Sequence, residues 1–203
     1  MTLILASSSP RRLALLRQVA IEPDAVYAHG VDETLREGEL PRARASRLAR
    51  EKAEAARARR IGENSDSAGG VWILGGDTVV ACGRRVLDIP ADEAAAAEHL
   101  LMLSGRRHRV YGGLCVLSLR GGEWRSASRL VETSVRFRRL TRREVSDYVA
   151  TGEWRGVAGG YAVQGFAGSF VVWLGGSYSN VVGLGLSETL GLLRGSGWHP
   201  DSV

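Results

Sequence analysis

Lysine is almost missing from this chain. Lys52 is the only one, and every other member of its 27 strong bases is arginine. Each position that holds or lacks a lysine is therefore easy to interpret. Cysteine is nearly as scarce. Cys82 and Cys115 stand alone without CxxC spacing, so neither a disulfide framework nor a zinc site is indicated, and a reducing cytoplasm is the expected compartment. Aromatic residues are 6% of the chain and do not interleave with the basic ones, which argues against a stacking platform for single-stranded nucleic acid. No apolar run approaches a membrane span, and Leu3-Ile4-Leu5-Ala6 directly after Met1 is too short for a signal-peptide core. Nucleotide motifs of the commonest kinds are absent too. There is no P-loop and no GxGxxG at a strand-to-helix junction, and Gly175-Gly176-Ser177-Tyr178-Ser179 misses a nucleophile elbow at its last residue. His29, His99, His108 and His199 show no ligand spacing and read as surface or half-buried residues.

What is present fits one sizeable soluble domain: 203 residues, 44% hydrophobic and 24% charged. Residues 1–195 read as that domain and 196–203 as a frayed tail. The net charge of +5 suggests an anionic partner. Because the arginines are spread along the whole chain, a small phosphate-bearing ligand is favoured over a nucleic-acid tract. Strand-like runs alternate with helical ones, and a hairpin is expected around Gly121-Gly122. The expectation is an α/β fold with a mixed sheet.

Two stretches carry chemistry. In Val71-Trp72-Ile73-Leu74-Gly75-Gly76-Asp77-Thr78-Val79-Val80, two apolar strand-like runs are separated by a glycine pair and a lone carboxylate. Charge in such a place is costly unless a metal or a partner uses it; the alternative is a bulge whose Asp bonds its own turn. In Ser7-Ser8-Ser9-Pro10-Arg11-Arg12, Ser9 suits a helix cap and Pro10 the first helical position. Hydroxyls, free N–H groups and two guanidiniums at a helix start suit a phosphate, the alternative being a Ser-rich cap with two solvated arginines; arginines there oppose the helix dipole unless an anion is expected, which favours the phosphate. The adjacent Asp32 and Glu33 either hold a divalent cation or are merely solvated. A helix is expected after Pro41, residues 61–70 read as an exposed loop, and Lys52 on that helix reads by default as a salt-bridged surface residue.

Taken together, these pieces resemble the Maf family of nucleoside triphosphate pyrophosphatases over nearly the whole chain. Ala6–Arg12 is similar to the family's ASxSPRR motif, Val31-Asp32-Glu33 to its acidic motif, Ala49–Ala53 to its lysine motif and Gly75–Val80 to its GADTVV. Leu103–His108, Gly159–Gly165 and Gly176–Leu184 follow in the expected order. The resemblance implies a twisted mixed sheet with flanking helices and a deep cleft between two lobes. It implies hydrolysis of non-standard or pyrimidine triphosphates to monophosphate and pyrophosphate with Mg or Mn, and a possible homodimer. Asp77 would be the proton acceptor, with Glu33 and Asp77 holding the metal. Ser7, Ser9, Arg11, Arg12 and Lys52 would bind phosphate, and Thr78 and Gln164 would read the base. Arg12 of the SPRR motif and Gln164 point to the branch acting on dTTP and UTP.

Two departures stand out. The family has a lysine where this chain has Ile89, and another where it has Val157. A charge-assisted contact is worth about 1.5–3 kcal/mol, so the exchange predicts a slow enzyme that Ile89→Lys and Val157→Lys together accelerate, unless Arg84, Arg85 or Arg155 supplies the charge. The alternatives are a nucleotide-binding protein of impaired turnover with a regulatory role in cell division, and a basic nucleic-acid-binding protein.

Overall fold

The computed structural model describes residues 1–28, 30–62 and 70–199. Strand β1 (Thr2–Ala6) runs through the serine loop into α1 (Pro10–Gln18), where Pro10 occupies the first turn. The short β2 (Ala25–Val26) and the long α2 (Pro41–Gly62) follow, then β3 (Val71–Cys82), β4 (Arg85–Leu87) and α3 (Glu93–Leu103). Strands β5 (Arg107–Arg120) and β6 (Glu123–Phe137) form a long hairpin turned by Gly121 and Gly122, both at positive φ. The chain ends with α4 (Arg142–Thr151), β7 (Val171–Gly175), α5 (Tyr178–Val182) and α6 (Leu186–Gly195). Helix starts follow local chemistry. Asp92 accepts from the Ala95 N–H to cap α3, and Thr141 with Glu144 forms a reciprocal capping box on α4.

The sheet is mixed, in the order β2-β1-β3-β5-β6-β7, with β4 paired to the end of β3. β1 is parallel to both its neighbours, and the other pairings are antiparallel. Three expectations are corrected here. β3 is not broken at Gly75-Gly76: its register with β5 runs unshifted from Val71 opposite Leu119 to Ala81 opposite Arg109. The glycines are there for what packs on the two faces of the sheet. A Cβ at Gly75 would run into the carbonyl of Ala49, and one at Gly113, opposite Asp77, into that of Ala45. On the other face, Gly76 lies under Arg12, and a Cβ at Gly112 would strike the Asn180 side chain. Second, the described part of the expected tail, residues 196–199, is packed on the fold and not frayed. Trp198 is buried and its backbone N–H donates to Leu193 O, while Trp72 Nε1 donates to Ser196 O at 3.1 Å. Third, Ile61 and Gly62 belong to α2, not to a loop; residues 63–69, like His29, lie outside the described residues.

Four buried clusters form three packed regions of the molecule, two of them under α2. One joins α3, α4 and the far end of the sheet through Leu100, Val110, Phe137, Tyr148 and Phe170. A second packs α1 and α6 on one sheet face through Leu16, Trp72, Leu114 and Leu193. The third packs α2 on the opposite face, where the helix presents Ala45, Ala49, Ala53 and Ala56. Small residues on both surfaces draw α2 unusually close to β3 and β5. A cleft opens between the first region and the other two.

Candidate active site

The cleft encloses about 470 Å³. Its floor is Asp77 and Thr78 of β3. One wall is the serine loop and the start of α1, beside Leu48 and Lys52 of α2. The facing wall is the end of β4 and the chain after it, Leu87, Asp88 and Ile89, together with the segment from Arg155 to Ala158.

Asp77 is 6% exposed and Lys52 3%, so both charges are inside the protein. Lys52 Nζ lies 2.6 Å from Asp77 Oδ1 and 2.8 Å from Glu33 Oε1. A buried ion holds its charge only with such partners. The lone lysine is therefore not a surface residue; it lines the cavity, clasped between the two carboxylates expected to hold a cation. That same pair fits a divalent ion. Magnesium is characteristically bound by one or two carboxylates and completed by substrate phosphates and water, and the two oxygens here already face one cationic centre. Among the described residues no cluster of three or more His, Cys, Asp or Glu side chains forms a complete protein cage.

Arg12 is buried and spans the floor. Its Nη1 donates to Ser7 Oγ at 2.9 Å, its Nη2 to Thr78 Oγ1 at 3.1 Å and its Nε to Gly183 O at 2.9 Å. Burial lowers its pKa, and the nearby Asp77 works against that. Ser7 Oγ also accepts from the Ser9 N–H. With two bonds accepted, the Ser7 hydroxyl keeps its proton to donate to a ligand. Ser9 occupies the cap position of α1, yet its side chain makes no capping bond and faces the cavity it lines. Arg11 reaches across the cleft to donate to Gly156 O at 2.7 Å.

The structure brings together Ser7, Ser9, Arg11, Arg12, Glu33, Lys52, Asp77 and Thr78. Gln164 is not with them. It is exposed in a turn closed by the Gly165 N–H to Ala162 O and does not line the cavity. Ile89 and Val157 both line the cavity, and of the three arginines proposed to replace their charge only Arg155 does. Arg85 pairs with Glu98.

Sequence reading missed three residues. Arg44, on the same face of α2 as Leu48 and Lys52, lines the cleft; its only sequence signal is the spacing of four. Asn180 is buried and donates through Nδ2 to Val110 O, Val131 O and Thr133 Oγ1, fastening α5 to the sheet. His108 is not at the surface: it is 1% exposed, and its Nε2 lies 2.7 Å from the hydroxyl of Tyr161, which lines the cleft. Burial pushes the His108 pKa down to about 4.

Residues 2–196 match the family model described as Maf-like protein. The chain is 55% identical to a protein named dTTP/UTP pyrophosphatase from Rhodopseudomonas palustris (strain HaA2), over 97% of this chain and 92% of the relative. Proteins of the same name from Bradyrhizobium diazoefficiens, 55% identical over 96% and 91%, and Mesorhizobium japonicum, 54% identical over 97% and 92%, are similar to the same extent. With the mixed sheet, the cleft and these likenesses together, the chain belongs to the Maf-like protein family.

Proposed function

We propose that this protein is a nucleoside triphosphate pyrophosphatase, a hydrolase of acid anhydrides that converts dTTP and UTP to the monophosphate and pyrophosphate. The observation that carries the reading is the buried Lys52–Asp77–Glu33 cluster at the floor of a cleft walled by hydroxyls and guanidiniums. The names of the relatives supply the substrates. In the reaction a water oxygen bonds to the α-phosphorus, the bond from that phosphorus to the α,β-bridging oxygen breaks, and pyrophosphate leaves. Asp77 takes the proton of the attacking water. Ser7, Ser9 and Arg11 orient the phosphates, Arg12 holds Ser7 and Thr78 in place, and Lys52 adds positive charge where negative charge develops. Glu33 and Asp77 would hold a divalent ion, which supplies charge neutralisation of the polyphosphate. Gln164 is left out of this reading, because it is exposed and does not line the cavity.

No helix of the described residues is long and apolar enough to cross a membrane. A cytoplasmic location is supported by the free thiols of Cys82 and Cys115. A single domain is supported by the match across residues 2–196. The apolar side chains of Ile89 and Val157 in the cleft favour a second reading, nucleotide binding without turnover.

The test is to offer the purified protein a panel of nucleoside triphosphates with magnesium or manganese and to measure pyrophosphate. Release from dTTP and UTP is expected, lost on chelation and reduced about two to four orders of magnitude by Asp77→Asn, the usual span for a general base. Binding without release would favour the second reading.

A further inference from the structure

Arg44 is a cation of the cleft with an incomplete set of partners. It is 7% exposed, on the α2 face that also carries Leu48 and Lys52, and it lines the cavity. Its Nη1 donates to Asp88 Oδ1 at 2.7 Å and its Nη2 to the backbone carbonyl of Glu33 at 2.8 Å. Its Nε is buried with no partner among the described residues. A guanidinium has five N–H donors, and a buried one left unsatisfied is destabilising unless a ligand completes it. Its carboxylate partner does not cancel the charge toward the cleft, because the Asp88 side chain is 62% exposed and its field is screened by solvent.

The location adds a second argument. Asp88 is the immediate neighbour of Ile89, the apolar residue standing where a cation was expected, and both line the cleft on the wall that faces α2 and Arg44. The carboxylate at 88 therefore fixes a guanidinium from α2 beside the position that lacks a lysine. Glu33 is held at both ends by the same helix face, its carbonyl by Arg44 and its carboxylate by Lys52.

We propose that Arg44 is a substrate-binding residue of this cleft. It takes the polyphosphate tail of the nucleotide and supplies the positive charge that Ile89 does not. A planar guanidinium with several free donors suits terminal phosphate oxygens, which present more than one acceptor. The inference rests on the reading that the cleft holds a triphosphate, and it assigns a residue to the β- and γ-phosphates within it.

Two variants test it. Arg44→Gln keeps an NH₂ donor for Asp88 or the Glu33 carbonyl but removes the charge. Arg44→Gln/Ile89→Lys returns a charge from the facing wall. Calorimetry with inorganic tripolyphosphate and with dTMP, both with magnesium, is set beside steady-state kinetics on dTTP. For Arg44→Gln we expect tripolyphosphate binding to weaken about ten- to a hundredfold, the range of one charge-assisted contact, with dTMP binding within about twofold. KM for dTTP should rise, and the added lysine should recover most of both losses. Equal weakening of the two ligands, unchanged tripolyphosphate binding, or no recovery by the lysine would overturn the proposal and leave Arg44 as a structural clamp. The two readings fail separately. Wild-type pyrophosphate release indifferent to Arg44→Gln removes this one alone. Tripolyphosphate binding that depends on Arg44 in a protein that releases no pyrophosphate removes the hydrolysis reading alone.

Discussion

Lys52 Nζ and Asp77 Oδ1 meet at 2.6 Å inside the protein, and the side chains are only 4% and 8% exposed. Neither charge would survive there alone, since burying an unpaired ion costs several kcal/mol even after relaxation. The pair exists because α2 approaches β3 and β5 at helix-backbone-to-sheet contact. Ala49 covers Gly75 and Ala45 covers Gly113, and Gly113 lies directly opposite Asp77. The same close approach brings Lys52 within reach of Asp77 and Glu33 at once.

Lys52→Ala leaves those two carboxylates without their common cation. We expect triphosphate binding to weaken more than monophosphate binding, because the lost charge faces the phosphate tail and two unneutralised carboxylates now repel it. The loss should be partly restored by raising magnesium, which can take the place of the ammonium between the two oxygens. Calorimetry with dTTP and dTMP across a magnesium series checks this. Equal weakening of both ligands would confine Lys52 to a structural role.

Gly113→Ala tests the close approach itself. The new methyl has no room below the Ala45 carbonyl, so α2 must move away from the sheet. Overpacking of this kind typically costs about 1–3 kcal/mol. Because the displaced helix carries Lys52, turnover should fall by more than the loss of folded protein explains. Gly191→Ala in α6, where an added Cβ meets nothing within 4 Å, is the matched control. A Gly113→Ala protein as stable and active as that control would show that the contact is not needed.

Much of this architecture is legible locally. Pro10 at the start of α1, Asp92 before α3 and the Thr141/Glu144 box each place a helix end through contacts within three residues. The site was legible as far as its motifs extend: Ser7 to Arg12, Glu33, Lys52 and Asp77 all meet in the cleft. What failed depends on distant partners. Gly75-Gly76 reads as a break because nothing in the ten surrounding residues reveals that Ala49 and Arg12 press on its two faces. Arg44 is one arginine among many until the chain after β4 brings Asp88 against it. Gln164 is a different case: its motif is recognisable, and a local turn closed by the Gly165 N–H on Ala162 O leaves it exposed.

Arg44 also changes what lysines at 89 and 157 should do. The sequence alone predicts that Ile89→Lys with Val157→Lys accelerates a slow enzyme. Arg11, Arg44 and Arg155 already line this cleft, and Ile89 is 55% exposed at its rim. Two further cations beside these guanidiniums and that of Arg12 add like-charge repulsion in the unliganded protein. We therefore expect the double lysine variant to gain less than about threefold in kcat/KM on dTTP, against the ten- to hundredfold expected if a charge-assisted contact were missing. In the Arg44→Gln background the same two lysines should give a clear gain. A large gain in the wild-type background would mean that the arginines do not reach the substrate.

His108 predicts how stability depends on pH. Burial holds its pKa at about 4 in the folded protein, against 6.5 for a free imidazole. Between those values the unfolded chain binds a proton that the native state does not, so stability falls as pH drops below 6.5 and levels off below 4. From pH 6.5 down to pH 5 this amounts to about 2 kcal/mol, at 1.36 kcal/mol per pKa unit. Burial also lowers the pKa of His99, which acts in the same direction, so the contribution of His108 must be isolated by substitution. His108→Phe keeps an aromatic ring in edge contact with Phe137 and Tyr161 but removes the titrating nitrogen and the partner of the Tyr161 hydroxyl. At pH 7.5 the variant should be less stable by about 1–3 kcal/mol for the unpaired hydroxyl. Its urea midpoint should then fall less steeply than that of the wild type between pH 6.5 and pH 5. Glu39 and Glu144 lose their favourable ion pairs only as pH falls below the ordinary carboxylate range, so they leave that window clear. Parallel slopes for the two proteins would mean that His108 binds its proton equally in the folded and unfolded states, which would overturn the assignment of a lowered pKa to burial.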